Sequence, residues 1–590
     1  MHPAFMSRLI KMLLITAATV SVGAGIATHA AAQKGNSSQS DSAISSGFFS
    51  FNLGSKGVLL TSLSAGLQAG AIDQLKFKDP AALQVFYAAR DGQTLWIDSW
   101  GNDHKAAAAV LGVLEKSWTH GLNPESYHVK EIKALLSARQ PAEKAQLELL
   151  VSDAVIRYGH DLTGFRLPAA AIRQDASFWR QPMSAPAILQ SVSAQANPVD
   201  ALQGFSPRDA LYLRLQQELI ALSADPDRAY EDYLPISFGG GLLRPGDFNK
   251  GVLKLRARLG LAHDPAFGPE NRYGDDLAAA VMNFQRESGL EPDGVIGAQT
   301  LAVLNRTVRD RMEQVAVNME RLRWLEQDRP ERYILVNIPS ATLWAVENDN
   351  VAFEMPVIVG RPERPTPSFI TQISGVRFNP KWTVPPTIKA RDFLPKLMED
   401  PTYLVNKGID LYQIIDGKRE TLDSTAIDWS TVQNSDLKHL RMVQAAGDNN
   451  ALGRIRVLMD NPYDIYLHDT NAPEYFKKPD RAASSGCIRL SEPEKVAQFI
   501  LGHNKDWSGD RMTRIIDTGR TSEISAEQKI PVYILYQTIW TDAEGRLVYG
   551  PDIYKQDKRM LEVMDSLDVL HIPDHDALQL ASTGMDASLR

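Results

Sequence analysis

Ser484-Ser485-Gly486-Cys487-Ile488-Arg489-Leu490, read with the apolar run Ile465-Tyr466-Leu467-His468 that ends 19 residues before the cysteine, organises the reading of this chain. Cys487 is the only cysteine among 590 residues, so it has no internal disulfide partner. Gly486 lets backbone approach whatever the sulfur touches. Two readings compete: a nucleophile, or a small apolar residue of a core. A thiol nucleophile needs a base or a positive potential beside it, because the thiolate is the reactive form. It also needs donors aimed at the oxyanion of the attacked carbonyl. His468 is the candidate base, at the end of a predicted strand, and the loop between it and the cysteine carries Lys477, Lys478 and Arg481. The backbone N–H groups of Ser485, Gly486 and Cys487 are candidate oxyanion donors. In an extended segment Arg489 shares a face with Cys487. There it would lower the thiol pKa or hold a substrate carboxylate bidentately.

The whole chain narrows these readings. Its length implies two to four domains. Forty-four per cent hydrophobic and 23% charged residues suit a globular protein. A net charge of −8 without a basic cluster argues against nucleic acid as a partner. Arg8 and Lys11, the apolar Met12 to Ile26 and Ala30-Ala31-Ala32 read as a signal peptide over 1–32, cleaved after Ala32. An uncleaved anchor is the open alternative, and it would be the chain's one attachment to a membrane. Either way the mature protein is exported, where a leftover cysteine suggests a reactive or intermolecular thiol.

The elements predict a multidomain α+β protein. Residues 33–70 read as a polar tether and 71–240 as a helical scaffold. His120, His128 and His160 in that scaffold lack metal-ligand spacing and read as structural. Glycine and proline break the pattern around Gly239 to Gly246. A compact helical unit follows over 245–306, which the resemblance given below makes a three-helix module, then a connector helix in 307–330. From Tyr333 the runs become short, β-branched and aromatic, which predicts a mainly β domain over 331–560. A helical and loop-like insertion at about 388–441 interrupts it, as a lid does. Residues 561–590 read as a loosely held tail, with His571 and His575 in it. No metal or other cofactor is expected.

These motifs resemble known families. Phe284-Gln285, Gly289-Leu290, Asp293-Gly294, Gly297 and Thr300 resemble the common peptidoglycan-binding domain. His468 with Ser484-x-Gly486-Cys487-x-Arg489 resembles the signature of the L,D-transpeptidase (YkuD) family, and the arrangement over roughly 70–558 is similar to its large YcbB type. Phe378 to Pro385, Asp428-Trp429-Ser430, Leu452-Gly453-Arg454, Tyr536 to Trp540 and Asp552-Ile553-Tyr554 are similar as well. The resemblance implies a cysteine-dependent acyltransferase of the periplasm that joins peptidoglycan stem peptides, with other cell-wall synthesis proteins as further partners. Cys487 would attack a meso-diaminopimelate carbonyl of a donor tetrapeptide, release D-alanine and leave a thioester. An amine of a neighbouring stem would resolve it into a 3→3 cross-link. His468 would be general base and then acid, oriented by the backbone carbonyl of Asp469. Ser485, Gly486 and Cys487 would supply oxyanion amides, and Arg489 would order the loop or meet substrate. Tyr466, Trp382 and Ser484 would shape the substrate cleft. Hydrolysis at the same site, or a non-catalytic wall-binding scaffold, are the competing readings.

Overall fold

The computed structural model describes residues 55–98, 104–224, 235–478 and 480–573. The expected signal peptide and the first part of the tether lie outside the described residues. The tether reading fails from Ser55 onward. Ser55–Ala69 is a helix, α1. Its Leu59, Leu63 and Leu67 recur every four residues and are buried. They pack in one core with the long helix α2, Pro141–Leu162. The scaffold's histidines have partners there: His128 Nε2 lies 2.8 Å from the Asp153 carboxylate and His120 Nδ1 lies 2.9 Å from the Tyr212 hydroxyl.

Three short helices, α4 (Gly251–Arg258), α5 (Asp275–Glu287) and α6 (Ala298–Leu304), build the small module, after the scaffold's last described helix α3 (Ala210–Ser223). Its core also takes Ile236, Phe238 and Leu243, which precede the expected start at 245. Asn305 explains the earlier start: its side chain donates to the Ile236 carbonyl and accepts from the Ile236 amide, at 3.0 and 2.8 Å.

The expected connector is a strut. Helix α7, Val308–Arg323, opens with a capping box between Thr307 and Asp310 and is buried along most of its length. Asn318 accepts from the amides of Thr538 and Ile539, and Gln314 donates to the carbonyls of Thr538 and Gly550. One side of the helix thus grips the β domain while the other packs on α3.

Among the described residues the β domain is built on a nine-stranded sheet, with Ile539–Thr541 and Leu547–Tyr549 paired as a separate two-stranded ribbon. The strands of the large sheet, in chain order, are β1 (Arg332–Asn337), β2 (Thr342–Glu347), β3 (Asn350–Gly360) and β4 (Phe369–Phe378). After the insertion come β9 (Ile455–Met459), β10 (Leu467–His468), β11 (Ala482–Ser484), β12 (Ile488–Leu490) and β13 (Ser522–Leu535). The order across the sheet is β11-β3-β12-β10-β9-β4-β13-β1-β2. Strand β3 pairs with β2 through its first half and with β12 and β11 through its last residues, so the sheet bends back on itself. Helix α8, Pro493–Leu501, buries Val496, Ala497 and Ile500 in the same core.

The insertion differs from its expected form. It starts at Trp382, ends at Gln444 and carries its own sheet, β5 (Trp382–Thr383), β6 (Ile409–Ile415), β7 (Lys418–Thr421) and β8 (Arg441–Gln444), in the order β5-β8-β6-β7. Buried Ile409 and Leu411 alternate around exposed Asp410, a strand period hidden in a polar stretch. The start of the expected tail is docked rather than loose. Helix α9, Gln556–Ser566, buries Met560 and Met564, and Asn123 of the scaffold donates to the carbonyl of Asp568. Residues 574–590, including His575, lie outside the described residues.

Candidate active site

Strand pairing assembles the site. Strand β10 runs parallel to β12 with Leu467 opposite Ile488 and His468 opposite Arg489, while β9 places Arg456 opposite His468. Leu467, Ile488, Leu490, Ile455 and Val457 point into the core. The alternation of strand side chains therefore leaves Arg456, His468 and Arg489 in one row on the opposite face, with Cys487 two residues before Arg489. The Ile488 amide donates to the Tyr466 carbonyl at 2.9 Å, which fixes Cys487 beside the β10 strand.

His468 is buried, 5% exposed, and its Nδ1 is hydrogen-bonded to the Asp469 carbonyl oxygen. A carbonyl only accepts, so Nδ1 carries the proton and Nε2 is left as the basic nitrogen. Burial, then the Arg489 charge, holds the imidazole pKa down at about 3, so it is neutral at physiological pH. Asp469 is itself anchored: its carboxylate accepts from the amides of Arg454 and Thr470, each at 2.7 Å. The space that carboxylate fills is where a Cβ of Gly453 would lie, and Gly453 has φ +60°. Glycine is thus required in Leu452-Gly453-Arg454 on two counts.

Burial raises the Cys487 thiol pKa, while a backbone hydrogen bond from Tyr466 and then the charges of Arg456 and Arg489 oppose that rise. Arg456 was not a candidate in the sequence. Its guanidinium lies 3.6 Å from the centre of the Tyr466 ring and its Nε is buried with no hydrogen-bond partner among the described residues. Neither Arg456 nor Arg489 has an ion-pair partner among the described residues; Arg489 faces the Tyr475 ring at 5.9 Å. The face around the thiol is therefore cationic. Replacing Arg456 with glutamine is expected to slow iodoacetamide alkylation of the lone thiol at pH 7.5 by roughly three- to tenfold, because a thiolate-favouring charge is removed. An unchanged alkylation rate would mean that the guanidinium serves only the Tyr466 stack.

The loop before the cysteine corrects two expectations. Ser484 is buried, not a substrate contact: its hydroxyl donates to the Cys487 carbonyl at 2.6 Å and accepts the Gly486 amide at 3.1 Å. That second bond occupies the Gly486 N–H, which is therefore not free for an oxyanion. Ser485 is exposed, and its hydroxyl accepts from Arg364 at 3.1 Å. Arg364 also pairs with Asp392 of the insertion, where Arg361 lies 3.4 Å from the same carboxylate. The nucleophile loop and the insertion are thus tied through one arginine pair that no local motif announces. Trp382 packs edge-on against Phe393 inside the insertion, 6.0 Å between ring centres, and belongs to that subdomain's apolar cluster. Tyr466 stands in the site row through its stack on Arg456.

Tyr536, Asp552 and Tyr554 brace the loop from behind. The Tyr536 hydroxyl donates to Asp552 at 2.6 Å and accepts the Tyr554 amide at 2.8 Å. The Tyr554 hydroxyl donates to the Gly360 carbonyl. The Thr366 hydroxyl, in turn, donates to the Gly486 carbonyl at 2.7 Å. Chemically, this is a neutral imidazole with a free nitrogen on the strand next to a thiol that donates to the Asp464 carbonyl at 3.8 Å and feels the charges of Arg456 and Arg489. Acyl transfer through sulfur is within its means.

Comparison with known families places the chain's regions as follows. Residues 331–533 match the model described as the YkuD "L,D-transpeptidase catalytic domain", residues 81–219 a "Scaffold domain" and residues 252–304 a "Putative peptidoglycan binding domain". A Haemophilus influenzae protein named "Putative L,D-transpeptidase" is 33% identical over 250 residues, which are 42% of this chain and 49% of that protein. The chain thus spans about half the length of this curated relative. Among solved structures, an L,D-transpeptidase fragment of Xylanimonas cellulosilytica is 14% identical with a TM-score of 0.18, over 50% of this chain and 97% of that one. An L,D-transpeptidase from Mycobacterium smegmatis is 15% identical with a TM-score of 0.16, over 35% and 58%. Scores this low add nothing to the assignment, which rests on the sequence matches. Residues 331–533 thus match the YkuD L,D-transpeptidase catalytic domain, and matches to a scaffold domain and a peptidoglycan-binding domain precede them in the chain.

Proposed function

We propose that the protein is a periplasmic L,D-transpeptidase that forms 3→3 cross-links in peptidoglycan through a thioester on Cys487. The observation that supports this is the β10–β12 pairing, which puts the strand ending in His468, its Nδ1 bonded to the Asp469 carbonyl, next to the strand that Cys487 immediately precedes. The Cys487 sulfur attacks the meso-diaminopimelate carbonyl of a donor tetrapeptide stem, and its proton passes to His468 Nε2. The tetrahedral oxyanion meets the backbone amides of Ser485 and Cys487, since that of Gly486 is engaged. As the C–N bond to D-alanine breaks, His468 returns the proton to the leaving amine. An acceptor amine then attacks the thioester carbon, the C–S bond breaks, and the amine's proton reaches the sulfur through the same imidazole. The cationic row of Arg456 and Arg489 suits the carboxylates of a stem peptide.

Incubation of the full chain with disaccharide-tetrapeptides, followed by mass spectrometry, tests the reading. A dimer formed with loss of D-alanine is the expected product. Tripeptide alone would make the enzyme a carboxypeptidase on the same thioester. Unchanged substrate would leave a wall-binding scaffold.

A further inference from the structure

The peptidoglycan-binding module and the β domain enclose a cavity of about 540 Å³. The loop between α5 and α6, with Glu291 and Asp293, and the first turn of α6, with Gln299, supply one wall. The β1–β2 turn, with Ser340, and Arg481-Ala482 at the start of β11 supply the other. The two walls are fixed against each other. Gly289, at φ +63°, leaves no room for a side chain, since a Cβ there would meet Trp540 and Val548 of the β domain at 2.9 Å. The cavity is therefore a formed cleft and not a gap across a hinge.

Three observations bear on its ligand. The module's signature polar residues are used internally: Gln285 donates to Asp293, the Val295 carbonyl and Thr300 at 2.9, 3.0 and 3.2 Å. What remains toward the cavity is a rim of mixed charge, with Arg244 and Arg481 against Glu291, Asp293 and Asp480. Arg481 donates to the Ser340 carbonyl at 2.9 Å, yet its Nε is buried with no hydrogen-bond partner among the described residues. Finally, Ala482 lies on the strand that leads to Cys487 five residues on. At ~3.3 Å per residue the thiol is no more than about 17 Å away, roughly the reach of an extended tetrapeptide with one long side chain.

The thiol's own face carries Arg456 and Arg489, which have no ion-pair partner among the described residues, and that suits a donor presenting carboxylates. The cleft offers both signs, which suits a peptide that also bears a free ammonium. Resting on the proposed transpeptidase reading, we propose that this cleft seats the acceptor: a zwitterionic stem peptide whose free amine is delivered to the thioester from the β11 side. Binding there would place a strand held by the module directly at the second half-reaction. The amine forms the new C–N bond as the C–S bond breaks, and its proton leaves through His468.

Gln299→Trp, which fills the cleft, and Glu291→Lys, which inverts its rim, test this in the full chain. Both positions are exposed. The variants are expected to form the acyl-enzyme with a tetrapeptide donor within about twofold of the unmodified rate, while dimer yield falls at least tenfold and tripeptide rises. Equal dimer yield would overturn the proposal, and so would a parallel loss of acylation, which would make the cleft a donor site. A calorimetric titration of a synthetic tripeptide ending in meso-diaminopimelate into the Cys487→Ala chain separates this inference from the functional reading. Binding weakened at least tenfold by Gln299→Trp supports the cleft even if no cross-link is ever formed, and binding that is absent or indifferent to the substitution sinks it.

Discussion

Alanine at Cys487 is expected to abolish covalent capture of a carbapenem, read as the absence of the drug's mass on the intact protein. No second cysteine exists to take over. Adduct formation on the alanine variant would remove Cys487 from its proposed role. His468→Ala should slow acylation by about 10²–10⁴-fold, the range for loss of a positioned general base. The pH dependence says which state of the pair reacts. Burial holds the His468 pKa at about 3 and pushes the thiol up, so the resting pair is neutral thiol and neutral imidazole, not thiolate and imidazolium. Proton transfer then accompanies attack. The imidazole can accept a proton only while unprotonated, and that holds at any pH well above 3. Acylation is therefore expected to stay nearly flat from pH 5 to 8 and to fall only as pH drops toward His468's own range. An inflection near 6.5, the ordinary histidine value, would show that His468 is solvated in solution and that the neutral-pair account is wrong.

The chemistry was legible because its elements are local. Histidine at a strand end, its neighbouring carbonyl, and glycine before the lone cysteine all lie in two short runs, and strand pairing brings those runs together. Arg456 and Arg364 were not legible, because each acts across a register between segments far apart in sequence. Ser484 and Gly486 were misassigned for another reason. Their backbone and hydroxyl groups satisfy one another within the turn, and residue type does not reveal which donors remain free. The tether and the tail were misjudged by composition. Serine, glycine and charged residues hid the Leu59, Leu63, Leu67 stripe at one end and buried Met560 and Met564 at the other. Helix α7 is the strongest case. Its sequence reads only as a connector helix, yet Gln314, Asn318, Glu320, Arg321 and Arg323 are all buried, since their partners come from the scaffold and from residues 538–557.

That helix also sets the largest expected stability effect. Glu320 is fully buried and accepts from Arg166 Nε at 2.9 Å, Arg323 Nη1 at 2.6 Å and the Trp324 indole at 3.2 Å. Arg166 comes from the scaffold beyond α2, so this carboxylate joins the two halves of the molecule. Glu320→Ala removes the counter-charge of buried Arg323 and leaves buried Arg166 with Asp161 alone, 3.4 Å away, and its expected cost is about 3–5 kcal/mol, read as a lower urea midpoint. The charge explanation has its own control. Glu320→Met combined with Arg323→Met removes one ion of each sign at similar volume and should recover part of the loss, since an apolar replacement of a whole buried pair costs far less than breaking it. If the double variant is as unstable as the single, lost packing is responsible instead. The folded fraction of either variant should still be acylated at Cys487 within about twofold of the unmodified rate at 20 °C, because none of Glu320's hydrogen bonds reaches the β10–β12 pair. A scaffold that merely solubilised the β domain would show no such loss of stability; one that braces it through α7 would.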